Sequence, residues 1–165
     1  MKVYRFVSLR FPDGLSCEGA RRYAGRWNSK GVAVLYCALS ESLAMLELRV
    51  HSPHPYPQTR WRFTIEVPDD ALATVPIEQL PRGWDALPAG PASKRLGDHW
   101  VQQCSSLGLL VPSVVASEEK NLMLNPLHRR FAEIRVISKQ RVMLDKRLYS
   151  EPAKGRSGFH RKPKK

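Results

Sequence analysis

The residue with the clearest chemical potential is Glu47, an acid in the middle of an apolar segment. Residues 40–51 have the periodicity of a helix, with Leu43, Leu46 and Val50 spaced as one apolar stripe. Glu47 lies within this stripe, so the pattern predicts a buried carboxylate. Such a charge must be paired, hydrogen-bonded or protonated, because an isolated buried charge is costly. Three interpretations stay open: a reactive carboxylate, a buried salt bridge with an arginine, or a helix end that tips Glu47 into water.

A second group of versatile residues lies in the stretch from Gly25 to Tyr36, GRWNSKGVAVLY. Glycine at position 25 permits close backbone approach, and the planar guanidinium of Arg26 suits a phosphate or a carboxylate. Trp27 and Tyr36 offer flat faces on which a ring can stack. A tight strand-to-helix turn would bring Tyr36 and Glu47 into one cleft. The alternative is structural, with Arg26 a surface cation and both aromatics in the core.

The segment 111–125, VPSVVASEEKNLMLN, contributes a hydroxyl and two amides. Ser113 follows a proline at a predicted strand end, where its hydroxyl can face a cleft, although serine is also a common turn former. Asn121 and Asn125 are suited to fixing loops through side-chain to backbone bonds. No G-x-S-x-G motif surrounds Ser113, which argues against a hydrolase triad.

Other binding motifs are absent from the sequence. It contains neither GxGxxG nor GxxxxGK[ST], so no Rossmann or P-loop phosphate site is predicted. It contains no HExxH, and the five histidines include no i, i+4 pair on a predicted helix. We therefore predict no metal site.

The hydrophobic pattern predicts a mixture of strands and helices to position these residues. Ser40 is placed to cap the helix that carries Glu47, and Ser93 to cap a second helix. Residues 12–31 are expected to form a long loop. The predicted strands are residues 2–8, 32–38, 61–67 and 107–111, with a closing pair at 131–137 and 141–144. The elements lack a βαβ rhythm, which favours an α+β domain over a doubly wound sheet.

Length and charge limit the class of protein further. The chain has 165 residues, enough for one domain, and a formal net charge of +12. No stretch is apolar enough to span a membrane or to serve as a signal peptide, and three cysteines without CxxC spacing suit the cytoplasm. The basic charge indicates either an anionic partner or a solvated surface. Residues 151–165, EPAKGRSGFHRKPKK, are expected to be a disordered basic tail.

Taken together, six stretches of the chain resemble the RES-domain family of bacterial toxins. These are YRF (4–6), GARRYAGRWNSKG (19–31), VLYCALSESLAMLELRVH (34–51), SKRLGDHW (93–100), LLVPSVV (109–115) and NLMLNP (121–126). The resemblance covers nearly the whole chain except the tail, so we interpret residues 1–150 as a RES domain. The family takes its name from an arginine, a glutamate and a serine, which correspond to Arg26, Glu47 and Ser113.

The resemblance implies a fold, an activity and a partner. The fold resembles that of ADP-ribosyltransferases, a single α+β domain with a split mixed β-sheet around an NAD cleft. The activity is destruction of NAD+ by hydrolysis or phosphorolysis of the nicotinamide–ribose bond, so NAD+ is a substrate and no cofactor is expected. The partner is an Xre-like helix-turn-helix antitoxin, and the toxin is expected to contact DNA only indirectly, through this antitoxin.

The resemblance also assigns expected roles to individual residues. Its tyrosine corresponds to Tyr36, and its N-terminal Tyr-Arg pair to Tyr4 and Arg5. Glu47 would stabilise the cationic sugar, and Arg26 and Arg5 would bind the pyrophosphate, although one arginine can instead orient Glu47. Tyr36 would stack on nicotinamide or wall the ribose, and Ser113 would hydrogen-bond either group.

Two rival functions stay open at this stage. Some relatives transfer ADP-ribose to a protein, which makes the chain a candidate ADP-ribosyltransferase. The net charge of +12 and the tail fit a third interpretation, a basic nucleic-acid-binding module without catalysis.

Overall fold

A computed structural model describes residues 1–52 and 59–148, in which one seven-stranded sheet carries most of the structure. The helices are α1 (Glu18–Arg22), α2 (Glu41–His51) and α3 (Pro91–Gln103). The strands are β1 (Lys2–Ser8), β2 (Leu35–Ala38), β3 (Thr59–Glu66), β4 (Leu72–Thr74), β5 (Gly108–Pro112), β6 (Lys120–Leu124) and β7 (Arg135–Met143). Their order is β4-β5-β6-β2-β1-β3-β7, and all neighbours are antiparallel except the parallel pair β4 and β5. The predicted α+β class with a mixed sheet is confirmed.

Alternation along β1 sends its side chains to two different cores. Val3 packs with Phe63 and Ile65 in a buried cluster on one face of the sheet. Phe6 packs on the other face in a cluster with Leu43 and Ala44 of α2. Burial on both faces explains why the central strands are rich in apolar residues. Because Phe6 points to this second face, α2 packs against β1 there.

Helix α2 begins where the sequence predicts, because the hydroxyl of Ser40 accepts a hydrogen bond from the backbone N–H of Leu43 at 3.0 Å. The predicted apolar stripe is wrong, however. The buried side carries Leu43 and Ala44, whereas Leu46 is 43% exposed and Val50 is 59% exposed. Apolar residues occur on every side of this helix, so its periodicity does not decide which side packs on the sheet.

Several predicted boundaries also differ from the structure. The expected closing pair at 131–137 and 141–144 is one strand, β7, which pairs with β3 through a register shift at Thr64/Ile65 and follows a single helical turn at Phe131–Glu133. Helix α3, for which Ser93 is the predicted N-cap, begins earlier than expected, with Gly90 as N-cap and Ser93 within the first turn. Proline at the first helical position is compatible with that start because it lacks the N–H.

Three elements have no counterpart among the predicted ones. No strand is predicted at β6 or at the short strand β4, and α1 lies within the expected long loop at 12–31. No helix in the described part of the chain has both the length and the apolar character needed to cross a membrane. The expected disorder of residues 151–165 lies outside the described residues.

Candidate active site

The site lies where the sheet opens between β1 and β2. These two neighbours share one residue pair, Tyr4 with Ala38, whereas β1 and β3 pair along seven residues. Beyond that pair, consecutive residues of both strands line a cavity of about 290 Å³, among them Arg5 and Tyr36. Consecutive strand residues point to opposite faces, so a cavity lined by both sets occupies the gap itself. The gap makes this the split sheet that the resemblance implies.

Glu47 reaches this cavity from α2. Its side chain is 21% exposed, and its Oε1 atom accepts hydrogen bonds from Ser113 Oγ at 2.8 Å and from Asn121 Nδ2 at 2.5 Å. The Oε2 atom lies 3.4 Å from Nε2 of His51, one turn further along the helix. Burial acts to raise the pKa of Glu47, but the bonds from His51, Asn121 and Ser113 outweigh it, and the pKa lies below its usual value. The carboxylate is therefore ionised at neutral pH. Among residues 1–52 and 59–148, its partners are two neutral donors and a histidine, not an arginine.

Ser113 lies behind the carboxylate, where β5 ends. Its side chain is buried, 3% exposed, and its Oγ accepts bonds from the backbone N–H groups of Val115 and Ala116 at 3.0 and 3.2 Å. With these donors fixed, the hydroxyl proton is directed to Glu47. The turn-forming role and the contact with Glu47 occur together in one residue.

A buried asparagine shapes the loop that carries Arg26. Asn28 is fully buried and donates to the carbonyls of Ala20, Ser29 and Val32 at 2.8, 3.1 and 3.1 Å. Its Oδ1 atom accepts from the backbone N–H of Gly25 at 3.0 Å and from the hydroxyl of Tyr36 at 2.9 Å. This side chain therefore ties several separate points of the chain together.

Tyr36 contributes its ring to the cavity and its hydroxyl to the same loop. The hydroxyl also accepts from the backbone N–H of Trp27 at 3.2 Å, and burial raises the pKa of the phenol, so it stays neutral. A Cβ atom at Gly25 would lie 2.6 Å from Asn28 Oδ1 and 2.9 Å from the Tyr36 hydroxyl. Close approach is thus the reason for glycine at this position.

Arg26 lines the cavity, and its guanidinium is attached to a second loop. Its Nη1 atom donates to the carbonyls of Trp84 and Ala86 at 2.9 and 3.0 Å. The adjacent Trp27 is buried and stacks on Trp84, with ring centroids 5.8 Å apart. Both bonds use one nitrogen, which leaves the other N–H groups of the fork for an anion.

Arg5 lines the opposite edge of the gap. Its Nη1 atom donates to the carbonyls of Gly14 and Ser16 at 3.2 and 3.0 Å, and burial lowers the pKa of the guanidinium. Within residues 1–52 and 59–148, neither Arg5 nor Arg26 forms an ion pair with a carboxylate. The cavity therefore has two guanidinium groups free of acidic partners and one ionised carboxylate.

The structure brings the residues singled out in the sequence to one place. Arg5, Arg26, Tyr36 and Glu47 line the same cavity, and Ser113 contacts it through Glu47. No group of three or more histidine, cysteine or acidic side chains suited to a metal occurs in the described chain.

Three residues of the site do not stand out in the sequence. Asn28 lies in the quoted GRWNSKG stretch, but an asparagine there resembles an ordinary loop residue. Asn121 is expected to fix a loop, whereas its amide contacts Glu47. His51 follows Glu47 by four residues on the same helix, and this spacing is the signal that could have identified it.

The comparisons with known proteins identify the family. A sequence model described as the RES domain matches residues 2–145. The chain therefore belongs to the RES-domain family.

Curated relatives and a solved structure agree with this assignment. The chain is 42% identical to the "Prs ADP-ribosylating toxin" of Sphingobium sp. (strain YBL2) over 82% of this chain and 87% of that protein. It is 40% identical to "Toxin Res" of Yersinia enterocolitica over 79% of this chain and 88% of the relative. Its fold matches a chain in the crystal structure of the M. tuberculosis MbcT–MbcA toxin–antitoxin complex, with a TM-score of 0.72, 22% identity and coverage of 86% and 84%.

Proposed function

We propose that this protein is the toxin of a toxin–antitoxin system and that it breaks the nicotinamide–ribose bond of NAD+. The observation that carries the proposal is the gap between β1 and β2. There an ionised carboxylate, Glu47, lines the same cavity as Arg5 and Arg26. A dinucleotide presents the complementary charges, a cationic nicotinamide riboside and an anionic pyrophosphate.

The reaction needs few protein groups. When the glycosidic C–N bond breaks, nicotinamide leaves with the bonding electron pair as a neutral molecule, and positive charge develops on the ribose. A fixed carboxylate stabilises this oxocarbenium-like state, and no general acid is needed because the leaving group needs no proton. An acceptor oxygen then forms a bond to the anomeric carbon and releases its proton. Glu47 is suited to the central role because two donors hold its Oε1 atom in place.

The remaining residues divide into binding and positioning groups. Small-molecule sites start at roughly 300 Å³, and the cavity of about 290 Å³ fits the nicotinamide–ribose end of the substrate. Arg26 and Arg5 bind the pyrophosphate at its edge, and the Tyr36 ring forms a wall beside the ribose or nicotinamide. Because the Ser113 hydroxyl donates to Glu47, we assign it to holding the carboxylate.

The acceptor defines a second candidate function. The name of the Sphingobium relative, "Prs ADP-ribosylating toxin", supports transfer of ADP-ribose to a protein. Both functions use the same bond cleavage and differ only in the group that captures the sugar.

A product assay tests both candidates. Purified protein is incubated with NAD+ labelled in the adenylate moiety, with and without inorganic phosphate, and with a cell extract. Release of nicotinamide with free ADP-ribose, or with its phosphorylated form when phosphate is present, supports NAD+ degradation. Label on a protein band supports transfer. No release of nicotinamide under any condition would contradict the proposal.

The proposed partner is an antitoxin with a helix-turn-helix DNA-binding domain. The structural relative belongs to a toxin–antitoxin complex, and the basic net charge of +12 suits an acidic partner. Co-expression with the product of an adjacent helix-turn-helix gene should yield a stable complex with lower NAD+ consumption. Salt-dependent binding of the isolated chain to random DNA, without NAD+ turnover, would instead favour the nucleic-acid-binding alternative.

A further inference from the structure

The carboxylate of Glu47 is held asymmetrically. Its Oε1 atom accepts two hydrogen bonds, from Ser113 and Asn121, whereas the Oε2 atom contacts only His51 among the described residues. His51 is exposed, 69% accessible, and lies 3.4 Å away at the last position of α2. A ligand in the cavity can therefore reach Oε2 by displacing only the exposed His51 side chain, whereas reaching Oε1 would require it to displace Ser113 or Asn121.

Asn121 is the donor best placed to create this asymmetry. Its backbone pairs with Ala38 of β2 on one side and with Val111 of β5 on the other, so the strands fix its Cα position. Its Nδ2 atom lies 2.5 Å from Glu47 Oε1, and Asn121 lines the cavity itself, unlike Ser113. Rotation of the carboxylate about its Cγ–Cδ bond would move Oε1 away from Ser113, and the single bond from Ser113 opposes this rotation only in part. A second donor on the same oxygen limits that rotation.

We infer that Asn121 is a positioning residue for Glu47: its amide holds Oε1 and so presents Oε2 to a ribose hydroxyl and to the developing cation. This inference rests on the proposed cleavage of NAD+. It assigns a function to an amide that the sequence places in a loop-fixing role. It also separates the two oxygens of Glu47, of which one is structural and the other reactive.

The charge state of Glu47 provides a second readout of the same contact. The bond from Asn121 is one of those that keep the pKa of Glu47 below its usual value against the effect of burial. The other titratable or charged groups that line the cavity are Tyr4, Arg5, Arg26, Tyr36, Cys37 and His51. Substitution of Asn121 leaves all of them in place, so a change in the acid limb of the pH profile reports on this amide.

Two variants and one control test the inference. Asn121→Ala should lower kcat about 10- to 100-fold, the loss expected for one bond to a charged group, with KM changed less than about threefold. Its acid limb should move to higher pH. Asn121→Asp keeps the shape and places a second carboxylate beside Glu47. Its activity relative to the parent should be lowest at neutral pH and should recover as the pH falls, because the introduced carboxyl group, once protonated, again donates to Oε1.

Asn125→Ala is the matched control on the same segment. Its amide donates to the carbonyl of Val101 at 2.9 Å, away from the cavity. This variant should lower the melting temperature and leave the acid limb unchanged. If Asn121→Ala acted only through stability, it too would lower the melting temperature and leave the acid limb unchanged.

The outcomes separate the inference from the proposed function. Parent-like kcat and an unmoved acid limb in Asn121→Ala, while the parent consumes NAD+, would overturn the inference alone. If the parent consumes no NAD+, the proposed function fails. The bond between Asn121 and Glu47 can then be tested without turnover, by a carboxyl-carbon NMR titration of Glu47. The inference predicts a higher pKa for Glu47 in Asn121→Ala, and an unchanged pKa would overturn it. Should Asn121→Ala fail to fold, the isosteric Asn121→Asp supplies the same pH test.

Discussion

The acidic and basic sides of the cavity are held in place by different kinds of structure. Glu47 lies on a helix, and the strands β5 and β6 lead to its partners Ser113 and Asn121. Arg26 lies on a loop that the side chain of Asn28 holds together. Regular elements thus position the group that stabilises charge in the transition state, and a side-chain network positions a group that binds substrate.

This difference has a functional consequence. Changes on the acidic side should alter the rate of bond cleavage while the fold persists, because backbone hydrogen bonds keep those elements in place. Changes on the basic side should alter stability and substrate affinity together, because side-chain bonds such as those of Asn28 and Arg26 hold the loop.

The largest effect is expected for Glu47→Gln. The change keeps the shape and removes the charge, so kcat should fall by about 10³-fold or more, in the range of electrostatic contributions to catalysis. Steady-state release of nicotinamide measures this effect. Glu41→Gln is the control, since Glu41 lies on the same helix and pairs with Arg62. A similar loss in both variants would show that the effect is not specific to Glu47.

Asn28→Ala should have the largest effect on stability. It removes a fully buried amide with five hydrogen-bond contacts and takes the donor away from the carbonyls of Ala20 and Val32. We expect a loss of about 3 kcal/mol in the free energy of unfolding, measured by urea titration. Lys30→Ala, at a more accessible position of the same loop, should change stability little. Comparable losses in both variants would contradict the role of Asn28.

Arg26→Ala should mainly weaken substrate binding. Loss of a guanidinium that binds phosphate should raise KM about 10- to 100-fold, with a smaller change in kcat. Arg22→Ala is the control, because Arg22 is exposed and pairs with Glu18. An unchanged KM in Arg26→Ala would remove this residue from the phosphate site.

Tyr36→Phe should have a smaller effect that divides its two roles. The variant keeps the ring in the cavity and loses the bonds with Asn28 and Trp27. We expect a loss of about 1–2 kcal/mol in the free energy of unfolding and little change in kcat. A large fall in kcat without a change in melting temperature would instead give the hydroxyl a direct part in the reaction.

The smallest expected effect is the acid dependence of the parent protein. The pKa of Glu47 is lowered in the folded state, so its ionisation contributes stability above the unfolded pKa of roughly 4.3. This contribution is lost as the pH falls through the lower folded pKa. Protonation of Glu47 should therefore not slow cleavage at pH values down to about 5. The assignment would be contradicted if the rate of nicotinamide release fell with acid around pH ~6 and fell in the same way in a His51→Gln variant.

The sequence predicts the acidic side better than the basic side, for physical reasons. Ser40, the helix at 40–51 and Glu47 follow from capping and local pattern, which depend on neighbours in the chain. The buried side of that helix does not follow, because apolar residues surround it and only the sheet decides which ones pack. Strand β6 is not predicted because its polar start resembles a loop.

The basic side depends on contacts between distant segments. Arg26 bonds to carbonyls 58 and 60 residues further along the chain, and no periodicity encodes such a contact. Asn28 is buried only because the loop folds around it. The family resemblance indicates the importance of Arg26, whereas its surroundings require the structure.

The most direct test of the account is a single-turnover experiment with Glu47→Gln, combined with calorimetric measurement of NAD+ binding. The variant should bind NAD+ with nearly the affinity of the parent, because Arg5 and Arg26 are intact, and should release nicotinamide at least about 10³-fold more slowly. Release at the parent rate by this variant would contradict the central claim that the charge on Glu47 drives the cleavage.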